Sequence, residues 1–116
     1  MIRDTIKKHS DFAMGENDPT ARCAFFLVRA KLAKIPDDAR YGLIVTKKTF
    51  KNAVDRNRAK RLLRDWIEFN EKMLVPTHDY VFVARRDILT ADRTNGREAM
   101  AKALNYIKHK IKTNGR

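Results

Sequence analysis

Between Lys47 and Arg64 the chain carries eight lysines and arginines and one acid, Asp55. Guanidinium and ammonium groups at this density grip phosphate oxygens through charge-assisted hydrogen bonds. Asn57, set among them, offers an amide to a base edge or a sugar hydroxyl. At 100° per residue Lys60, Arg61 and Arg64 share one flank of a helix, Arg58 falls on the opposite flank, and Arg56 sits one turn from the N-terminus. The chemistry on offer is the binding of a polyanion. Nucleic acid fits it better than an anionic membrane surface, and the plain alternative is a solvated basic surface with no single partner.

Groups for catalysis are missing. The histidines, His9, His78 and His109, lie far apart without metal or triad spacing. Cys23 stands in an apolar run and reads as core. Gly15, Gly42, Gly96 and Gly115 make neither a P-loop nor a dinucleotide fingerprint. The one carboxylate pair, Asp37-Asp38, sits in a turn and cannot by itself hold two Mg²⁺ ions.

These groups need a scaffold, and 116 residues at a net charge of +12 bound it to one domain spanning 1–116. Residues 41–64 supply +7 of that charge. The longest apolar run, Cys23 to Val28, is far too short to cross a bilayer. Arg3, Lys7 and Lys8 are followed by no apolar segment of a secretory signal, and a lone cysteine makes no internal disulfide. A cytoplasmic protein is expected.

Periodicity predicts a short helix over Ile2–Met14, strands over Cys23–Ala30 and Tyr41–Lys47 paired as antiparallel neighbours, and a central strand over Asp79–Arg85. From Ala59 the apolar positions 62, 63, 66, 67, 69, 73 and 74 form one helical stripe, with Trp66 in the core. Asn52 and Asp55 are placed to form a capping box. A last amphipathic helix runs over Gly96–Lys112 through Met100, Leu104, Ile107 and Ile111. The order predicts an α+β sandwich of one sheet and a helical layer. Phe25, Phe26, Tyr41, Tyr80 and Phe82 lie on strands, as core or as a platform for unstacked bases.

The run Asn52-Ala53-Val54-Asp55-Arg56-Asn57-Arg58-Ala59-Lys60-Arg61-Leu62-Leu63-Arg64 closely resembles the signature of the bacterial ribonuclease P protein subunit. Gly42-Leu43-Ile44-Val45-Thr46-Lys47-Lys48 before it is similar to that family's Gly-Leu-x-Val-x-Lys-Lys strand. Asp79-Tyr80-Val81-Phe82-Val83-Ala84-Arg85 after it is similar to the family's last strand. The three motifs cover residues 41–86, in order and at matching separations.

The resemblance implies an αβββαβα two-layer fold with a left-handed βαβ crossover, against the usual right-handed rule. It implies an RNA-binding subunit of an endoribonuclease that removes the 5′ leader from precursor tRNA, in which a catalytic RNA holds the Mg²⁺ ions and the protein alone binds none. The protein would be a monomer in a 1:1 complex with that RNA, in the cytoplasm and off the membrane. By position, Lys47, Lys48, Asn52, Arg56, Asn57, Arg58, Lys60, Arg61 and Arg64 would face the catalytic RNA. Phe12, Phe25 or Phe26, Thr46, Lys51, Arg85 and Arg86 would line a cleft for the single-stranded leader. The family's first helix usually bears two aromatics four residues apart, whereas here Glu16 follows Phe12. The alternative is a ribosomal-type protein that binds structured RNA without a role in cleavage.

Overall fold

The computed structural model describes residues 3–4, 18–33 and 40–114. In chain order the elements are β1 (Arg3–Asp4), β2 (Thr20–Arg22), β3 (Phe26–Leu32), β4 (Arg40–Ile44), α1 (Ala53–Phe69), a 3₁₀ turn (Glu71–Met73), β5 (His78–Ala84), a second 3₁₀ turn (Arg86–Thr90) and α2 (Arg93–Asn114). The strands form one sheet in the order β1-β4-β5-β3-β2. This is the mixed α+β architecture the sequence predicts.

The central place of β5 follows from its composition, since it is the strand with the most buried positions. It pairs antiparallel with β3, Phe26 opposite Ala84 and Leu32 opposite His78. It pairs parallel with β4, Tyr41 beside Tyr80 and Ile44 beside Val83. The expected antiparallel pairing of the Cys23–Ala30 strand with the Tyr41–Lys47 strand is therefore corrected: β5 lies between β3 and β4, which are not neighbours. A parallel β4–β5 pair needs a crossover, and α1 supplies it.

Other boundaries shift for local reasons. Cys23 to Phe25 turns the chain rather than extending it, with Cys23 N–H donating to Phe26 O at 2.9 Å. Ahead of that turn β2 pairs with β3, a strand not expected from the sequence. Of the expected helix over Ile2–Met14, Arg3 and Asp4 instead form β1, parallel to β4, and the rest lies outside the described residues.

One face of the sheet carries the helices. Phe26, Val28, Ala30, Tyr41, Tyr80, Phe82 and Ala84 pack there against Ala59, Leu63, Trp66 and Ile67 of α1 and Met100, Leu104 and Ile107 of α2. Trp66 has no exposed surface, its ring centroid 5.9 Å from that of Phe25 and 6.3 Å from that of Phe26. The strand aromatics are thus core, with Phe25 half-buried at its rim.

The apolar stripe of α1 ends sooner than expected. Asn70 stops the helix, its amide Nδ2 donating to Trp66 O at 2.9 Å and to Arg97 O at 3.2 Å. Met73 and Leu74 lie beyond it, and Phe69, expected in the stripe, is 62% exposed with the Arg97 guanidinium 4.0 Å above its ring. Arg97 also holds Asp65 through two bonds of 3.1 and 3.2 Å, tying α2 to α1. At its other end α2 starts at Arg93, ahead of the expected Gly96, because Asp92 Oδ1 accepts the Asn95 N–H at 2.7 Å.

Candidate nucleic-acid interface

The segment between β4 and α1 sets up the site. Phe50 is 2% exposed and anchors it in the core. Its N–H donates to Thr46 O at 2.9 Å, closing a single turn stapled further by the Thr49 N–H to Thr46 Oγ1 bond of 3.2 Å. Lys47 and Lys48 stand on the outside of that turn, both exposed. The turn spends backbone hydrogen bonds on itself, so the two ammonium groups project from a fixed backbone.

Asn52 then adopts extended backbone, φ −90° and ψ 134°, and its carbonyl accepts the first helical bond from Arg56 N–H at 3.1 Å. It occupies the cap position, but its side chain makes no capping bond, so the expected capping box does not form. Arg56 takes over part of that work: Nη1 donates to Phe50 O at 2.8 Å and to Lys51 O at 3.1 Å. Arg56 points back into the turn, half-buried, while Lys51 and Asn52 are exposed beside it.

Along α1 the burial pattern sorts the cations. Ala59, Leu63, Trp66 and Ile67 face the sheet. Val54, Asn57, Arg58, Arg61, Arg64 and Glu68 are exposed, and at 100° per residue they lie within a strip about 120° wide on the opposite side. Arg58, on the far flank from Lys60 when measured against the apolar stripe, is thus only about 60° from Arg61 across the outer surface. Lys60 is half-buried on the edge of the strip. Arg58, Lys60 and Arg61 form no ion pair with any described residue, whereas Arg40 with Asp79 and Arg97 with Asp65 pair elsewhere.

This placement runs against the helix's own electrostatics. The N-terminus of a helix carries about half a positive charge, and cations in its first turns are unfavourable by a few tenths of a kcal/mol each. Only Asp55 offsets them locally. The same dipole and the same cations both attract an external anion. Phosphates on this surface would meet exposed guanidinium groups, the exposed amide of Asn57 and the start of α1.

The expected leader residues divide. Thr46 and Arg85 follow the last paired residues of β4 and β5, so both leave the same end of the sheet, and Arg86 follows. All three are exposed, as is Lys51. Arg85 Nη1 reaches Cys23 O at 3.3 Å, and its N–H holds Phe25 O at 2.9 Å, joining the Cys23–Phe25 turn to this end. Phe26 has no exposed surface, so of the two strand aromatics only Phe25 is open to a ligand, and its ring leans on Trp66. Phe12 lies outside the described residues.

Sequence reasoning missed the division of labour between Arg56 and Arg58. Its only trace was position: a first-turn arginine lies within reach of the loop before it. Among the described residues no three His, Cys, Asp or Glu side chains converge as metal ligands, and no helix is long and apolar enough to cross a membrane.

Comparison with known proteins agrees with this fold. The sequence model of the ribonuclease P protein family matches residues 3–108. The ribonuclease P protein component of Pelotomaculum thermopropionicum is 30% identical over 107 residues, covering 89% of this chain and 91% of that protein. That of Desulforapulum autotrophicum is 26% identical, covering 90% and 88%. Among solved structures, the Staphylococcus aureus RNase P protein superposes with a TM-score of 0.71 at 26% identity, covering 90% of this chain and 93% of that one. The RNase P protein from Thermotoga maritima shares the fold, with a TM-score of 0.64 at 23% identity over 76% and 82% of the two chains. With its basic helix on the outside of the same fold, and with similarity running nearly its full length, the chain belongs to the ribonuclease P protein family.

Proposed function

We propose that this chain is the protein subunit of a ribonuclease P in which a catalytic RNA cleaves precursor tRNA and releases its 5′ leader. The observation that carries the reading is the outer strip of α1: Asn57, Arg58 and Arg61 exposed on a rigid helix, with no described carboxylate paired to the arginines. Such a surface neutralises RNA phosphates and releases their counterions. Lys47 and Lys48 extend it along the preceding turn, and Arg56 holds that turn in place.

In this reading the chain supplies cations and amides, the RNA holds the Mg²⁺ ions, and the complex is 1:1 and works in the cytoplasm. Close-packed phosphates around metal ions repel one another, and basic side chains nearby lower the Mg²⁺ concentration needed to hold them together. The end of the sheet bearing Thr46, Lys51, Arg85 and Arg86 is the candidate path of the leader, with Phe25 as its one described aromatic.

The test is a reconstituted cleavage of precursor tRNA by the catalytic RNA at low Mg²⁺. Addition of this chain raises the rate and tightens precursor binding. Unchanged rate and affinity would sink the proposal and leave a structured-RNA-binding protein without a role in cleavage. Cleavage by the protein without RNA would replace it with a self-sufficient nuclease.

A further inference from the structure

A second surface lies away from the outer strip of α1. Between the edge strand β2 and the flank of α2 runs a groove of about 550 Å³, within the roughly 300–1,000 Å³ range of small-ligand sites. Arg22 lines it from β2; Asn95, Glu98, Lys102 and Tyr106 line it from α2. Arg22 and Lys102 are exposed, and Tyr106 is 48% exposed, a large ring left open to solvent. Lys110, one turn further along, places its ammonium 5.5 Å from the Tyr106 ring centroid. Glu98 is the only acid among the described residues of the lining.

We infer that this groove takes one unpaired nucleotide of the same RNA that docks on α1, the base stacking on Tyr106 and its phosphates lying between Arg22 and Lys102. The inference rests on the proposed function for the source of the RNA. Its chemistry rests on the groove: an aromatic face bordered by cations suits a ligand that is flat at one end and anionic at the other. A peptide strand added to β2 fits poorly, because the edge offers three residues, one of them an exposed arginine.

The two surfaces are held in fixed relation. Arg97 binds Asp65, and Asn70 bonds across to Arg97 O, so polar bonds as well as packing join α2 to α1. One folded RNA can therefore meet the α1 strip and the groove in a single register.

The experiment uses the full chain with the transcribed catalytic RNA, no precursor present, and labelled hexauridylate as a second probe. Tyr106→Ala weakens binding to both RNAs by about tenfold, within the range of one lost stacking contact, and Tyr106→Phe stays within about twofold of the unaltered chain. Arg22→Ala with Lys102→Ala lowers the salt dependence of binding, and thermal melts confirm that all variants fold. Because Arg22 and Lys102 are exposed, that pair reads out the groove even if Tyr106→Ala is unstable. Catalytic-RNA affinity unchanged by the groove variants, alongside a loss for Arg58→Ala with Arg61→Ala, overturns the groove and leaves the proposed function standing. Loss confined to hexauridylate overturns the assignment to the catalytic RNA. An unaltered chain that does not bind the catalytic RNA removes both proposals.

Discussion

Gly96 of α2 lies flat against the indole of Trp66 on α1: a methyl group built on Gly96 would fall inside the van der Waals envelope of the ring. The indole Nε1 is buried without a hydrogen-bond acceptor among the described residues, so packing rather than polar bonding places the ring. Trp66 in turn packs on Phe25 and Phe26, so Gly96 is the point where α2 closes on α1 over the sheet-facing ring.

Gly96→Ala is therefore expected to destabilise the protein by about 1–3 kcal/mol through overpacking. Helix propensity alone predicts the opposite sign, a gain of up to about 1 kcal/mol in a helix interior. Urea unfolding decides between them, and a stabilised variant would show that the helices can separate at no cost.

Arg56 and Arg58, two residues apart, should behave differently. Arg56→Ala removes bonds to Phe50 O and Lys51 O, costing about 1–3 kcal/mol in unfolding free energy as well as RNA affinity. Arg58→Ala with Arg61→Ala leaves stability within about 0.5 kcal/mol. It should weaken RNA binding and flatten its salt dependence by up to about 0.9 log units per lost phosphate contact, the duplex-DNA value. Paired titrations of stability and of binding against salt separate the two roles.

Asp92 caps α2 by accepting the Asn95 N–H, so Asp92→Ala is expected to cost about 1 kcal/mol. Asp92→Ser, which keeps an acceptor, should recover most of it. Equal losses in both variants, measured by thermal unfolding, would mean that the cap contributes nothing.

His78 opens β5, and burial lowers its pKa below 6.5 against the opposing fields of Asp18 and Asp79. A depressed folded pKa means that the unfolded chain binds the proton first, so stability falls as pH drops below 6.5 toward the folded value. His78→Gln is expected to flatten the stability profile over that interval. A profile that keeps the full slope would place the titration elsewhere.

The basic run from Lys47 to Arg64, its helical period and the three ordered motifs were legible in the sequence because they are local patterns of residue type and spacing. So was the core role of Trp66, set by its place in the apolar stripe. The central place of β5 was legible as well, from its apolar run, but the pairing around it was not: β3 and β4 each have the pattern of a neighbour, and nothing local to either says that β5 comes between them. The turn of Arg56 toward Phe50 O, the contact of Gly96 with Trp66 and the groove between β2 and α2 each join residues of different elements, or of a helix and the loop before it. Periodicity gives each side chain a direction but not what it meets there, and that was settled by the packing of helices on the sheet.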